Sequence, residues 1–174
     1  MLNDINNEIF IIEINFKESG NPIPLIGYDL KGKELKLITY EEIMKNVRFI
    51  DCYYDNAVSK IYLVTGNQGC SASYNYNENK LYHKYNNPDD EDDVVSMNNY
   101  IIHKEDNIVK ITTSYVDGFI RIFNFNSGEL LNKKSLIEGN NRFLWDICLW
   151  DNNHLFVGRR KDILLVQLDS GKII

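Results

Sequence analysis

A chain of 174 residues, 44% of them hydrophobic, is long enough to bury a sizeable core and too apolar to remain disordered. Its formal charge of −6 argues against a general binder of nucleic acid or acidic membranes, because polyphosphate surfaces hold proteins through clustered cations. No apolar run approaches the roughly 20 residues that a membrane-spanning helix needs.

The first stretch, MLNDINNEIFIIEINF, keeps Glu8 and Glu13 among its apolar residues. It lacks the basic start and unbroken apolar core of a secretory signal, so a cytoplasmic or nuclear location is expected. Apolar and aromatic runs then follow one another at short intervals, and an aromatic content of 12% suits pleated strands. Strands are predicted over Ile9–Phe16, Ile23–Leu30 and Lys33–Ile38. Only TYEEIMKNV, Thr39 to Val47, has helical character, and it is expected to form one turn in a connection. Next come Phe49–Tyr54, Lys60–Thr65, Cys70–Tyr76 and Lys80–Tyr85, then a polar insertion, NNPDDEDD, from Asn86 to Asp93. Val95–His103, Ile108–Ser114, Phe119–Phe125 and Glu129–Ser135 form a third group. Phe143–Trp150, Leu155–Gly158, Asp162–Leu168 and a short strand after Gly171 form the last.

These groups repeat. Sliding FIRIFNFNSGELL (Phe119 to Leu131) by 43 residues lays Gly128 on Gly171 without a gap. Ile120 then falls on Ile163, Ile122 on Leu165, Phe123 on Val166, Phe125 on Leu168 and Ser127 on Ser170. CSASYNYNENKL, Cys70 to Leu81, fits the same pattern 49 residues upstream, and IPLIGYDLKGKELKL, Ile23 to Leu37, is a fourth copy. A second marker recurs independently, in CYYDN (Cys52 to Asn56), HKEDN (His103 to Asn107) and CLWDN (Cys148 to Asn152). Asx residues tolerate left-handed dihedrals and bond the backbone two residues on, so each Asp-Asn pair is expected to close a hairpin. Four-stranded antiparallel units at such intervals are the signature of propeller blades. The expected architecture is therefore all-β: one β-propeller or propeller fragment over 1–174, with units at about 8–38, 47–85, 94–135 and 143–174 and the first and last incomplete.

SYVDGFIRIFNFNSGELL, Ser114 to Leu131, resembles a WD40 repeat, with Phe123-Asn124 at the Trp-Asp place and Asp117 in the turn before the third strand. Tyr74-Asn75, Val166-Gln167 and Tyr28-Asp29 hold the Trp-Asp place in the other units, while Gln68 and Arg160 replace the turn Asp in two of them. The resemblance implies a non-catalytic scaffold for protein–protein interaction. It also implies that the turn Asp joins a buried hydrogen-bond network, whose near absence here predicts looser blades. Unpaired edges at either end would template pairing with another chain. The outcomes are a compact four-bladed ring, a half completed by a second copy, or a piece of a longer propeller. The last two are favoured, so a homo-oligomer or a completed larger propeller is expected. The competing readings are a propeller enzyme or small-ligand binder using the central channel, and a structural subunit that completes a partner's ring.

Side chains with chemistry offer little apparatus. Cys52 and Cys148 occupy the same place in their repeats, three residues before the Asp of the turn, and are expected in the core, as is Cys70. His83, His103 and His154 are not spaced to converge on a metal, and no phosphate-cradling or nucleophile-elbow motif occurs. No catalytic residue, cofactor or metal is therefore expected. In a propeller the turn between the second and third strands shares a face with the link between blades. That would gather Arg142, Arg159, Arg160 and Lys161 into a cationic cluster, on a face that also carries the acidic run Asp89, Asp90, Glu91, Asp92 and Asp93. Either both are solvated loops, or a face so polarised docks a charged protein partner or joins the basic cluster of one copy to the acidic loop of another. Trp150, beside a turn, is a further candidate contact, while Trp145 is expected to pack in the core.

Overall fold

A computed structural model describes residues 2–3, 8–9, 25–28, 34–38, 47–67, 70–75, 78, 80–85, 97–136 and 144–174. Every regular element among them is a β-strand. Two short hairpins come first, β1 (Leu2–Asn3) with β2 (Glu8–Ile9), and β3 (Leu25–Tyr28) with β4 (Glu34–Ile38). Two four-stranded sheets follow, β5 to β8 (Val47–Asp55, Lys60–Asn67, Cys70–Asn75, Lys80–Tyr85) and β9 to β12 (Met97–Glu105, Ile108–Tyr115, Phe119–Asn124, Leu130–Ser135). The last sheet holds β13 to β15 (Leu144–Leu149, His154–Arg159, Ile163–Gln167), and Ile173 forms an antiparallel bridge to Val166 where a fourth strand would run. Each sheet is an antiparallel meander in chain order. Strand ends from β3 onward fall within two residues of the sequence expectation. The expected strand Ile9–Phe16 and the expected turn at Thr39–Val47 lie outside the described residues except at Ile9 and Val47.

The turns explain why the meanders close where they do. Asp106 and Asn107 both adopt positive φ, 47° and 64°, and form a two-residue loop between the paired residues Glu105 and Ile108. Positive φ at both central positions matches the twist of a tight hairpin, and Asp and Asn tolerate it better than other side chains. The other two Asp-Asn turns are looser and rely on the side chain: Asp55 accepts the Ala57 N–H at 2.9 Å, and Asp151 accepts the Asn153 N–H at 2.8 Å.

The copies 43 residues apart share their bonding as well as their letters. Gly128 N–H donates to the Asn124 carbonyl at 2.9 Å, and Gly171 N–H donates to the Gln167 carbonyl at 2.7 Å. Asn124 N–H reaches the Glu129 carbonyl and Gln167 N–H the Lys172 carbonyl, both at 2.8 Å. Both glycines have positive φ, 74° and 67°, and both lie under the outer strand of the preceding sheet. A Cβ on Gly128 would stand 3.3 Å from the Lys84 carbonyl oxygen, and one on Gly171 would stand 2.8 Å from Cδ of Lys134.

Register irregularities repeat too. Between the third and fourth strands a bulge falls at Gly27/Tyr28, Ser73/Tyr74 and Ile122/Phe123, in each case beside the aromatic at the expected signature position. Between the first and second strands a bulge recurs near the start of the meander, and in the last sheet it skips Trp145 between Leu144 and Asp146. An extra residue is left unpaired at a bulge and breaks the alternation of faces.

The core lies between sheets. Tyr62, Val64, Tyr85, Val109, Ile111, Phe123 and Phe125 fill one junction, between β5–β8 and β9–β12. Ile120, Ile122, Leu136, Leu144, Ile147, Leu155, Val157, Leu164, Val166 and Leu168 fill the next, between β9–β12 and β13–β15. The middle sheet is thus covered on both faces, which is why β10 and β11 are buried at most positions. First strands of neighbouring sheets, β9 and β13, touch each other, so the sheets converge on that side.

Candidate interaction surface

The cationic cluster expected at the end of the last sheet is partly consumed by the sheet itself. Arg159 closes the β14–β15 turn. Its N–H bonds the Asp162 carbonyl at 2.8 Å, and its guanidinium grips the Asp162 carboxylate at 2.7 and 2.6 Å. The hydrogen bond from Arg159 holds the Asp162 carboxyl below its ordinary pKa. Arg160 and Lys161, at the tip of the same turn, are exposed. Arg142 and the acidic run Asp89, Asp90, Glu91, Asp92 and Asp93 lie outside the described residues. Trp150 sits at the other end of β14, in the β13–β14 turn, about 17 Å of strand away for six residues. It is 65% exposed and rests edge-on against Phe156, with centroids 5.2 Å apart.

Two expectations are corrected here. Trp145 does not pack in the core; it is 61% exposed, because the bulge leaves it as the unpaired extra residue of β13. Cys148 is also exposed, since it alternates with Ile147, which points into the junction. The side chains of Cys52 and Cys70 lie outside what is described.

Buried polar chemistry does exist, and it serves the scaffold. Asp117, in the β10–β11 turn, accepts from Arg121 at 3.3 and 2.7 Å and from the Phe119 N–H at 3.0 Å. Arg121 is 1% exposed, and its guanidinium lies over the rings of Tyr115 and Phe119, 4.2 and 5.5 Å from their centroids. Arg121 thus supplies Asp117 with a buried partner inside its own sheet. The clue was available: Arg121 shares a face with Phe119 and Phe123, where a lone cation must find a carboxylate. A hydroxyl network lies in the neighbouring junction. Tyr85 donates to the Phe125 carbonyl at 3.0 Å and accepts from Ser73 at 2.7 Å, while Ser71 donates to the Tyr85 carbonyl at 3.0 Å. Burial pushes the Tyr85 and Tyr115 hydroxyls well above the ordinary phenol range. Among the described residues, no three His, Cys, Asp or Glu side chains could together hold a metal. No described helix is long and apolar enough to cross a membrane.

No protein-family model matches the chain, and no curated protein matches its sequence. Solved structures do match its shape. The WD40 β-propeller domain of Doa1 superposes with a TM-score of 0.64 at 16% identity, over 89% of this chain and 47% of that one. The computationally designed Ika4 protein superposes with a TM-score of 0.59 at 14% identity, over 83% of this chain and 79% of that one. The fold is a β-propeller of antiparallel blades, about four in number, the first and last incomplete. The chain spans about half the length of the Doa1 domain it resembles.

Proposed function

We propose that this protein is a non-catalytic intracellular platform for protein–protein interaction, whose propeller sheets hold the turn residues Arg160 and Lys161 toward an acidic protein partner. Likeness to a WD40 propeller domain favours a scaffold in general, but function resides in sites and not in folds. The observation that carries the reading is the contrast around one turn. Arg159 is braced by Asp162 and has only 5% of its side chain exposed, while Arg160 and Lys161 project from the turn it stiffens. A braced turn presents cations at a low cost in ordering, which favours binding. The Arg121 guanidinium and the Tyr85 hydroxyl are engaged in structural bonds.

The test is charge reversal of Arg160 and Lys161 to Glu, with thermal unfolding as the control. Loss of the proteins that co-purify with the wild-type chain, without loss of stability, is the expected outcome. An unchanged set of co-purifying proteins would dispose of this surface. Arg159 is unsuitable for the test, because replacing it also breaks the turn.

A further inference from the structure

The last sheet has one face packed and one face bare. Inward-pointing Leu155, Val157, Leu164 and Val166 are buried against the middle sheet. On the opposite face the pairing lays Cys148 beside Phe156 and Phe156 beside Leu165, and Ile174 bonds the Leu165 carbonyl at 2.9 Å. These four residues form an apolar row across the sheet, flanked by Ile163 on one side and Trp150 on the other. Among the described residues, the four most exposed large hydrophobic side chains are Ile163, Ile174, Trp150 and Trp145, at 73, 66, 65 and 61%, and all belong to this sheet and its turns. None of the described residues outside the sheet belongs to a core on that face.

The repeat shows what such a face is shaped for. Ile163 and Leu165 correspond to Ile120 and Ile122 in the middle sheet. There the equivalent side chains are 2 and 6% exposed, because the next sheet covers them with Leu, Ile and Val. We infer that the bare face of β13–β15 is a sheet-stacking surface, and that its occupant is a sheet of a second copy of this chain. The copy presents sheets of the same geometry, and the present chain already joins such sheets twice. A two-fold arrangement closes on itself, each copy covering the other's bare face, and so leaves no surface for filament growth. This surface is distinct from the turn at Arg160 and Lys161.

Light scattering coupled to size exclusion, over a wide range of concentration, decides the matter. A species of twice the 20.3 kDa chain is expected. Both tryptophans of the chain belong to this sheet and its turns, so their fluorescence should become less accessible to acrylamide as the larger species forms. Replacing Ile163→Glu and Leu165→Glu together should return the chain to a monomer with a native strand signature, while Ile163→Leu should leave the dimer intact. If the double variant fails to fold, Trp150→Glu offers a milder disruption at the rim, and the wild-type quenching series stands without it. A monomer at every concentration, with quenchable tryptophans, overturns the second-copy occupant in favour of another chain's sheet or a following segment. A monomer with protected tryptophans overturns it in favour of closure within one chain. A dimer indifferent to all three disruptive substitutions overturns the surface. None of these failures touches the reading of the basic turn, which is tested by partner capture.

Discussion

The two junctions of this propeller solve one packing problem with different chemistry. Between β5–β8 and β9–β12 the core is aromatic and hydroxylated: Phe125 stands 5.1 Å from the rings of both Tyr53 and Tyr62, edge-on, and Tyr85 ties Ser73 to the Phe125 carbonyl. Between β9–β12 and β13–β15 the same sheet geometry is filled with Ile, Leu and Val and no buried aromatic. Aliphatic packing depends on volume alone, whereas the aromatic junction also depends on direction, through ring edges and hydrogen bonds. The repeat preserves the backbone device, a glycine turn under the preceding outer strand, and leaves the filling to vary.

Substitutions can break this contrast. The largest effect is expected for Phe125→Ala, which empties a fully buried site ringed by Tyr53, Tyr62, Tyr82 and Tyr85. A loss of about 3–5 kcal/mol in urea unfolding is expected for such a truncation. Leu155→Ala in the aliphatic junction should cost about 2–5 kcal/mol, and Leu155→Met less than about 1.5 kcal/mol, since volume is what that core asks for. Tyr85→Phe keeps the ring and removes only the hydroxyl, leaving Ser73 and the Phe125 carbonyl short of a partner. A cost of about 1–3 kcal/mol would show that direction matters in the aromatic junction; no change would erase the distinction drawn here.

The smallest effect is a pH dependence within the middle sheet. His103 has both ring nitrogens buried without a hydrogen-bond partner. Burial lowers its pKa, with the charge of Glu105 opposing the shift and Lys110 adding to it. The unfolded chain therefore binds the proton more readily than the folded one. Its contribution is fully present above the unfolded value of about 6.5 and is lost as pH falls through the lower folded value. The melting temperature should decline through that window, and His103→Gln should flatten the decline. An identical slope in the variant would assign the acid sensitivity to other groups.

The strand order and nearly all strand boundaries from β3 onward were legible in the sequence because turn chemistry punctuates it. Gly128, Gly171 and the Asp106-Asn107 pair hold positive φ that other residues adopt with strain, and the other two Asp-Asn turns are held by the Asp side chain. The family resemblance was legible for a related reason, since Phe123, Tyr74 and Tyr28 mark a bulge that recurs in the backbone. What escaped was exposure. Trp145 read as core on the strength of its size and of strict alternation, and a bulge has no letter of its own. Cys148 read as core because its repeat position is shared with Cys52, yet burial depends on whether another sheet packs on that face. Of the expected surface cluster, Arg159, Arg160 and Lys161 lie at the β14–β15 turn, but the grip of Asp162 on Arg159 depends on rotamers that spacing cannot supply.

The tight loop at Asp106 and Asn107 has a consequence for how the chain assembles. Two residues is the shortest route between antiparallel strands, so β9 and β10 surrender less chain freedom in meeting than any more distant pair. Such hairpins form within microseconds, and this one belongs to the sheet that templates a neighbour on either side. Growth should therefore begin in the middle of the polypeptide and spread toward both ends. Asn107→Ala should then retard refolding while hardly altering the rate of unfolding.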